Sequence, residues 1–176
     1  MNIALIGPRG VGKSKVSRKL SKLAGKSVIS TDMVACYELG GISISEFISR
    51  SGNDWKRFRD LEYQILQRLK GSSDIILDCG GGFIFDLDEQ SNEILSRRKT
   101  EILHSISKVV FLNNDISYLV EKVTGDSTRP NLSGSNSYEI ILRRRIPFYR
   151  QSSHFEVNMS GKKPEEAAAE ILKKFS

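Results

Sequence analysis

Residues Gly7 to Ser14 read Gly-Pro-Arg-Gly-Val-Gly-Lys-Ser, the Walker A pattern of a phosphate-binding loop. The chemistry it implies is the binding of a nucleoside triphosphate. Its glycines let the backbone curl until the amides from Gly10 to Ser14 converge on the phosphates, with the positive end of a helix dipole behind them. Lys13 would reach the terminal phosphates and the Ser14 hydroxyl would ligate magnesium, so the expected nucleotide set is Gly10, Val11, Gly12, Lys13, Ser14 and Lys15. Such a loop works only between a strand and a helix. Asn2 to Ile6 is a short run suited to a buried strand, and Lys13 to Leu23 carries Val16, Leu20 and Leu23 at helical spacing.

Phosphoryl transfer also needs positive charge on the phosphates, a positioned acceptor hydroxyl and exclusion of water. Thr31-Asp32 follows a second short strand, Ser27 to Ser30, so Asp32 lies at a strand's C-terminal end, where ligand crevices open in parallel sheets. Its carboxylate could accept the proton of a substrate hydroxyl, cap the next helix, or do both. Asp78 closes the apolar run Ile75-Ile-Leu-Asp78 in the manner of a Walker B segment, able to hold magnesium directly or through water. Gly80-Gly81-Gly82 would let backbone amides approach a small ligand, or simply turn the chain. Arg59 and Glu62 share a helix face, as a surface ion pair or as part of a site. Arg143-Arg-Arg145, ahead of a break expected at Pro147, could grip a carboxylate bidentately. Arg129-Pro130 lies in a polar stretch from Gly125 to Asn136 suited to a mobile lid, from which Arg129 could clamp the transferring phosphate.

The intervening elements alternate between strand and helix. Further strands are expected at Ser73 to Asp78, Lys108 to Leu112 and Phe155 to Asn158, with helices over Glu93 to His104, Ile116 to Val123, Tyr138 to about Arg150, and Pro164 to Phe175. This order implies an α/β fold with a parallel sheet and helices on both faces. Residues 31–70 are too long for an ordinary crossover and read as a substrate-binding helical insertion.

With 176 residues, 39% hydrophobic content and four prolines, one domain spanning the chain is expected, without linkers. No stretch approaches the roughly 20 apolar residues of a membrane span, and no leader precedes the first strand, so the chain reads as cytoplasmic. Cys36 and Cys79 are read as small buried residues, and His104 and His154 as isolated, which indicates neither disulfides nor a zinc site. A net charge of +6 is spread along the chain, with no nucleic-acid signature. ATP and an acidic small molecule would account for it, and the basic face from Lys15 to Lys26 reads as solvated helix surface.

Taken in order, the phosphate loop, Thr31-Asp32, Phe58-Arg59 with Glu62, Gly80-Gly81-Gly82, Arg129-Pro130, and Arg145 with Pro147 and Tyr149 resemble the shikimate kinase family across nearly the whole chain. The resemblance implies a three-layer P-loop kinase fold with a five-stranded parallel sheet of order 2-3-1-4-5, acting as a monomer. It implies transfer of the ATP γ-phosphate, with magnesium, to the 3-hydroxyl of shikimate. Asp32, Arg59, Gly80, Gly81, Gly82 and Arg145 would then hold shikimate, the two arginines on its carboxylate, and Lys13 and Arg129 would stabilise the phosphoryl group. Lys122 stands where the family usually has an adenine-side arginine, and Lys162 falls in the adenine-loop region. The chain departs from the family pattern at three points. The family's Asp-x-Asp pair is here Ser30-Thr31-Asp32, and Asp78 stands where a small residue is usual, so Asp78 is expected to replace the lost carboxylate as metal partner beside Ser14. The stretch from Gly52 to Phe58 is also longer than usual, leaving Arg57 as a rival to Arg59. The alternatives are a kinase for another small hydroxy acid such as gluconate, or a non-catalytic nucleotide-binding homologue.

Overall fold

Five apolar or amide side chains in succession, Asn2–Ile6, form strand β1, and every one is buried. That continuous burial is the mark of a central parallel strand covered on both faces. The computed structural model describes residues 1–124 and 135–175 of the chain. The expected lid over residues 125–136 and its Arg129 therefore fall almost wholly, and in Arg129's case entirely, outside the described residues.

The elements follow as α1 (Lys13–Ala24), β2 (Ser27–Ser30), α2 (Thr31–Glu38), α3 (Ile44–Arg50), α4 (Trp55–Arg68), β3 (Ile75–Asp78), β4 (Phe85–Leu87), β5 (Glu93–Leu95), α5 (Arg97–Ile106), β6 (Ser107–Asn113), α6 (Ile116–Thr124), α7 (Ser135–Gln151), β7 (Phe155–Asn158) and α8 (Pro164–Phe175). The main sheet runs β2-β3-β1-β6-β7, parallel throughout. Counted within the sheet alone, this is the expected 2-3-1-4-5. The labels differ because a two-stranded antiparallel hairpin, β4–β5, intervenes.

Strand alternation sends Ile3, Leu5, Ile76, Val110 and Leu112 to one face, where Val16 and Leu20 of α1 and Ala167, Ala168 and Ile171 of α8 cover them. Ala4, Ile6, Leu77, Val109 and Phe111 go to the other, under Leu66 of α4, Ile102 and Leu103 of α5 and Tyr149 of α7. The helical insertion has an apolar cluster of its own, with Ala35, Phe47, Ile48, Phe58 and Ile65 at its centre. Helix α4 joins the two cores, with Phe58 and Ile65 in this cluster and Leu66 against the sheet.

Five expectations need correcting. His104 and His154 are not isolated from each other, since their rings meet edge-on with centroids 5.0 Å apart. Glu93 to His104 is not one helix: Glu93–Leu95 pairs with Phe85–Leu87, and α5 begins only at Arg97. The Ser96 hydroxyl caps it by accepting from the Lys99 amide at 3.3 Å, and Asp88 Oδ1 closes the hairpin turn by accepting from the amides of Gln90 and Asn92. Pro147 does not break α7, which continues to Gln151. Proline inside a helix costs about 3 kcal/mol; here Ile146, Phe148 and Tyr149 are packed into the core around it, and Tyr149 stacks on Phe111 and meets Phe85 edge-on. Leu23 is 53% exposed, because α1 ends at Gly25 before the third apolar position reaches the sheet. Cys36 is only half-buried, whereas Cys79 is buried as expected.

Candidate active site

Gly12, at φ +105°, sits just before α1, a backbone conformation that favours glycine, and its carbonyl accepts the first helical bonds from Lys15 and Val16. Lys13 is 8% exposed, and its ammonium donates to the carbonyls of Gly7 at 2.8 Å and Pro8 at 2.9 Å, within the curl of the loop. Ser14 and Lys15 follow on the exposed first turn of α1. The loop is braced from α7 by the Tyr138 hydroxyl, which donates to the Arg9 carbonyl at 2.7 Å. Helix α6 backs it as well: a Cβ on Gly10 would stand 3.2 Å from Val123 Cγ2 and 3.9 Å from Lys122 Cδ. Lys122 is exposed there, donating to the Tyr118 hydroxyl at 3.1 Å. Lys162 lies after β7 and pairs with Glu170 of α8.

The three glycines after β3 are explained by what leans on them. Thr31 Oγ1 accepts from the Gly80 amide at 2.9 Å, tying the start of α2 to this corner. A Cβ on Gly80 would stand 2.3 Å from Asp32 Oδ1, and one on Gly82 would stand 2.3 Å from Arg59 Nη2. A Cβ on Gly81 would meet the Arg9 amide nitrogen at 3.2 Å, so the glycine corner abuts the phosphate loop. The Gly81 carbonyl in turn accepts from Arg145 Nη1 at 3.3 Å and from the Tyr149 hydroxyl. Asp32, Arg59 and Arg145, from three helices remote in sequence, thus meet on one glycine turn. Residues without side chains there are what allow the approach.

Arg59 is buried, and Arg57 is not. Arg57 points its guanidinium over the Phe47 ring of α3, 5.5 Å from the centroid, while Arg59 lies between Trp55, Phe58 and the glycine corner. The Arg59–Glu62 pair is internal: Nη1 reaches both Glu62 oxygens at 3.1 and 3.0 Å. Lys99, which is fully buried, closes the other side of Glu62 at 3.0 Å and donates to the Phe85 carbonyl at 2.6 Å. Burial pulls the Lys99 pKa down, with the charge of Glu62 working against that pull. Of the arginine triplet, Arg143 pairs with Glu139 on the surface, and Arg144 is half exposed. Arg145 points inward and is held by Glu93, from Nε at 2.7 Å and Nη2 at 2.5 Å.

Sequence reasoning missed Glu93 and Lys99. Lys99 sits in an Arg-Arg-Lys run that looks like helix surface, and its partners, Glu62, Asp86 at 3.3 Å and a strand carbonyl, make its burial tolerable. Glu93 was hidden inside an assumed helix; the one available signal was the Asp88-to-Asn92 turn that makes it a strand residue.

Asp78 is buried at the end of β3. It shares its face with Ile76, toward α1, and its register partner on β2 is Ser30, whose neighbour Val28 faces the same way. A carboxylate at 78 therefore stands one strand from where one at 30 would stand, about 4.8 Å away. Ser30 itself is occupied as the cap of α2, accepting from the Met33 amide at 3.4 Å. Among the described residues no group of three or more His, Cys, Asp or Glu could hold a metal alone.

No described helix is long and apolar enough to cross a membrane. A family profile described as shikimate kinase matches residues 9–176. A shikimate kinase of Leptospira biflexa is 55% identical over 172 residues, covering 98% of this chain and 94% of that protein. One from Dehalococcoides mccartyi is 32% identical, covering 97% of this chain and 90% of that protein. Among solved structures, shikimate kinase from Acinetobacter baumannii in complex with shikimate superposes with a TM-score of 0.82 at 25% identity, over 98% of this chain and 91% of that one. A phosphate loop abutting a glycine corner, with identity and profile running the length of the chain, leaves one placement: the chain belongs to the shikimate kinase family.

Proposed function

We propose that the chain transfers the γ-phosphoryl group of ATP to the 3-hydroxyl of shikimate, with Arg59 and Arg145 on the substrate carboxylate and Asp32 on its ring hydroxyls. The observation that carries this reading is the convergence of one carboxylate and two guanidiniums on Gly80 to Gly82, against the phosphate loop. A molecule with one carboxylate and neighbouring hydroxyls complements that set. The guanidiniums fix the acid end, and Asp32 faces the hydroxyl end, where it accepts the acceptor's proton as its oxygen attacks phosphorus in line. Lys13 exchanges its loop carbonyls for phosphate oxygens and holds charge as it builds on the transferring group. Arg129, outside the described residues, is assigned the phosphate clamp from its sequence position. Lys122, beside the loop on α6, is assigned to the nucleoside side; Lys162 is assigned there from its sequence position alone. Magnesium would supply charge neutralisation for the transferring phosphoryl group, and Ser14 and Asp78 are the residues that would hold it. We extend the reading to a monomer acting in the cytoplasm, as the family resemblance implies.

A coupled ADP-release assay tests the reaction: turnover should require shikimate and magnesium, and gluconate should neither replace shikimate nor compete with it. ADP release that ignores shikimate at millimolar substrate would remove the assignment. Asp78 has its own expected result. Asp78→Asn keeps the shape but loses the charge, and should raise the magnesium concentration for half-maximal rate by about tenfold, with the KM for shikimate unchanged. An unaltered magnesium titration would show that the carboxylate at 78 does not serve the metal.

A further inference from the structure

The β4–β5 hairpin places a carboxylate beside both arginines of the proposed substrate site. Glu93, the first residue of β5, stands opposite Leu87 of β4 and has its side chain almost wholly buried. Three guanidiniums surround it. Arg145 donates to Oε1 through Nε at 2.7 Å and to Oε2 through Nη2 at 2.5 Å; Arg144 reaches Oε1 at 3.1 Å; Arg59 Nη2 lies 3.9 Å from Oε2, near but beyond hydrogen-bond reach. Burial acts against the charge of Glu93, and the bonds and charges of Arg145, Arg59 and Arg144 outweigh it, holding its pKa below the usual carboxylate range.

A guanidinium carries five protons on nitrogen, in a rigid fork. On Arg145, Glu93 takes one from Nε and one from Nη2, and the Gly81 carbonyl takes one from Nη1. The Tyr149 hydroxyl also hydrogen-bonds the Arg145 side chain, so of the two remaining protons at most one is left for a substrate. Arg59 spends Nη1 on Glu62, and its buried Nε has no partner among the described residues. We infer that Glu93 is a positioning residue for substrate binding: it grips the inner edge of Arg145, offsets the repulsion between Arg145 and Arg59, and so holds two guanidiniums ready for one carboxylate. The hairpin is suited to this. It is pinned at its exit by the Ser96 amide, which donates to the Ile84 carbonyl at 2.8 Å, and at its middle by Asp86, which accepts from Arg98 Nε at 2.8 Å. The inference rests on the reading of Arg59 and Arg145 as the carboxylate grip.

The test is a double-mutant cycle on the full chain, read by steady-state kinetics. Glu93→Ala should raise the KM for shikimate by about tenfold, the loss of a charge-assisted contact, with kcat and the KM for ATP within about twofold. Glu93→Gln should fall between, because its amide oxygen still accepts one bond without the charge, and it guards against a variant that fails to fold. Because Glu93 acts through Arg145, Glu93→Ala added to Arg145→Ala should raise the KM no further than Arg145→Ala alone. A KM that stays constant in both Glu93 variants overturns the proposal, and one that falls shows that Glu93 competes with the substrate instead. Additive effects in the cycle also overturn it. If Arg145→Ala itself leaves the KM unchanged, the carboxylate grip fails first; if only the Glu93 variants are silent, the grip stands and the positioning role alone is lost.

Discussion

Lys13→Ala should lower kcat by about 10²- to 10³-fold, the penalty for removing one preorganised donor from a charged transition state. The KM for shikimate should hardly move, since Lys13 stands in the phosphate loop and Arg59 and Arg145 lie at the glycine corner across from it. The fold should survive. Lys13 donates to the Gly7 and Pro8 carbonyls, but the loop has other braces: the Tyr138 hydroxyl on the Arg9 carbonyl, and Val123 against Gly10. Burial raises the Tyr138 pKa well above that of a free phenol, so this brace stays protonated and donating over any assay range. Lys13→Arg should not rescue the rate, because a planar fork cannot replace a compact ammonium within a loop built to its length. Circular dichroism and thermal midpoint would confirm folding, and single-turnover kinetics would separate chemistry from nucleotide binding. A kcat within about threefold of the parent would contradict the role given to Lys13.

The parts most legible in the sequence were those governed by short-range rules. The loop from Gly7 to Ser14 and the strands at Asn2, Ser27 and Phe155 follow from burial and spacing that involve only neighbouring residues. The helical insertion was legible as an excess of length, and its apolar cluster around Phe47, Phe58 and Ile65 explains why that excess can fold. Less legible were features that depend on a partner far away in the chain. Glu93 is 52 residues from Arg145, and nothing local marks it as buried. Lys99 looks like any basic helix residue until Glu62 and the Phe85 carbonyl are placed around it. Pro147 looks like a helix stop, and only the packing of Tyr149 on Phe85 and Phe111 shows why the helix continues. The glycines after β3 were read as letting backbone amides approach a ligand or as a plain turn, and the structure adds a steric reason that belongs to Asp32 and Arg59. Spacing had paired Arg59 with Glu62 but not told whether the pair faced water; the buried Lys99 beneath it answers that.

Arg59→Ala should raise the KM for shikimate by about 10²-fold, the loss expected when one partner of a buried, hydrogen-bonded ion contact is truncated. Its effect on stability should be smaller than that comparison suggests. Breaking a buried pair commonly costs about 3–5 kcal/mol because the surviving charge is left alone. Here Glu62 keeps Lys99 at 3.0 Å, so its charge remains compensated, and the measured loss by denaturant unfolding should fall below that range. Arg59→Lys distinguishes charge from shape. A lysine restores the positive charge but cannot reach Glu62 through one nitrogen while presenting another toward the neighbourhood of Glu93, as Arg59 does with Nη1 and Nη2. The KM should therefore remain well above the parent value in Arg59→Lys even though stability returns. Gly82→Ala is the complementary change, because its Cβ would stand 2.3 Å from Arg59 Nη2 and displace the guanidinium without removing it. If displacement and deletion raise the KM for shikimate alike while leaving the KM for ATP alone, what the site requires is the placement of that guanidinium. If Gly82→Ala binds shikimate normally, the glycine is there for the turn, and the close approach of Arg59 is incidental to binding.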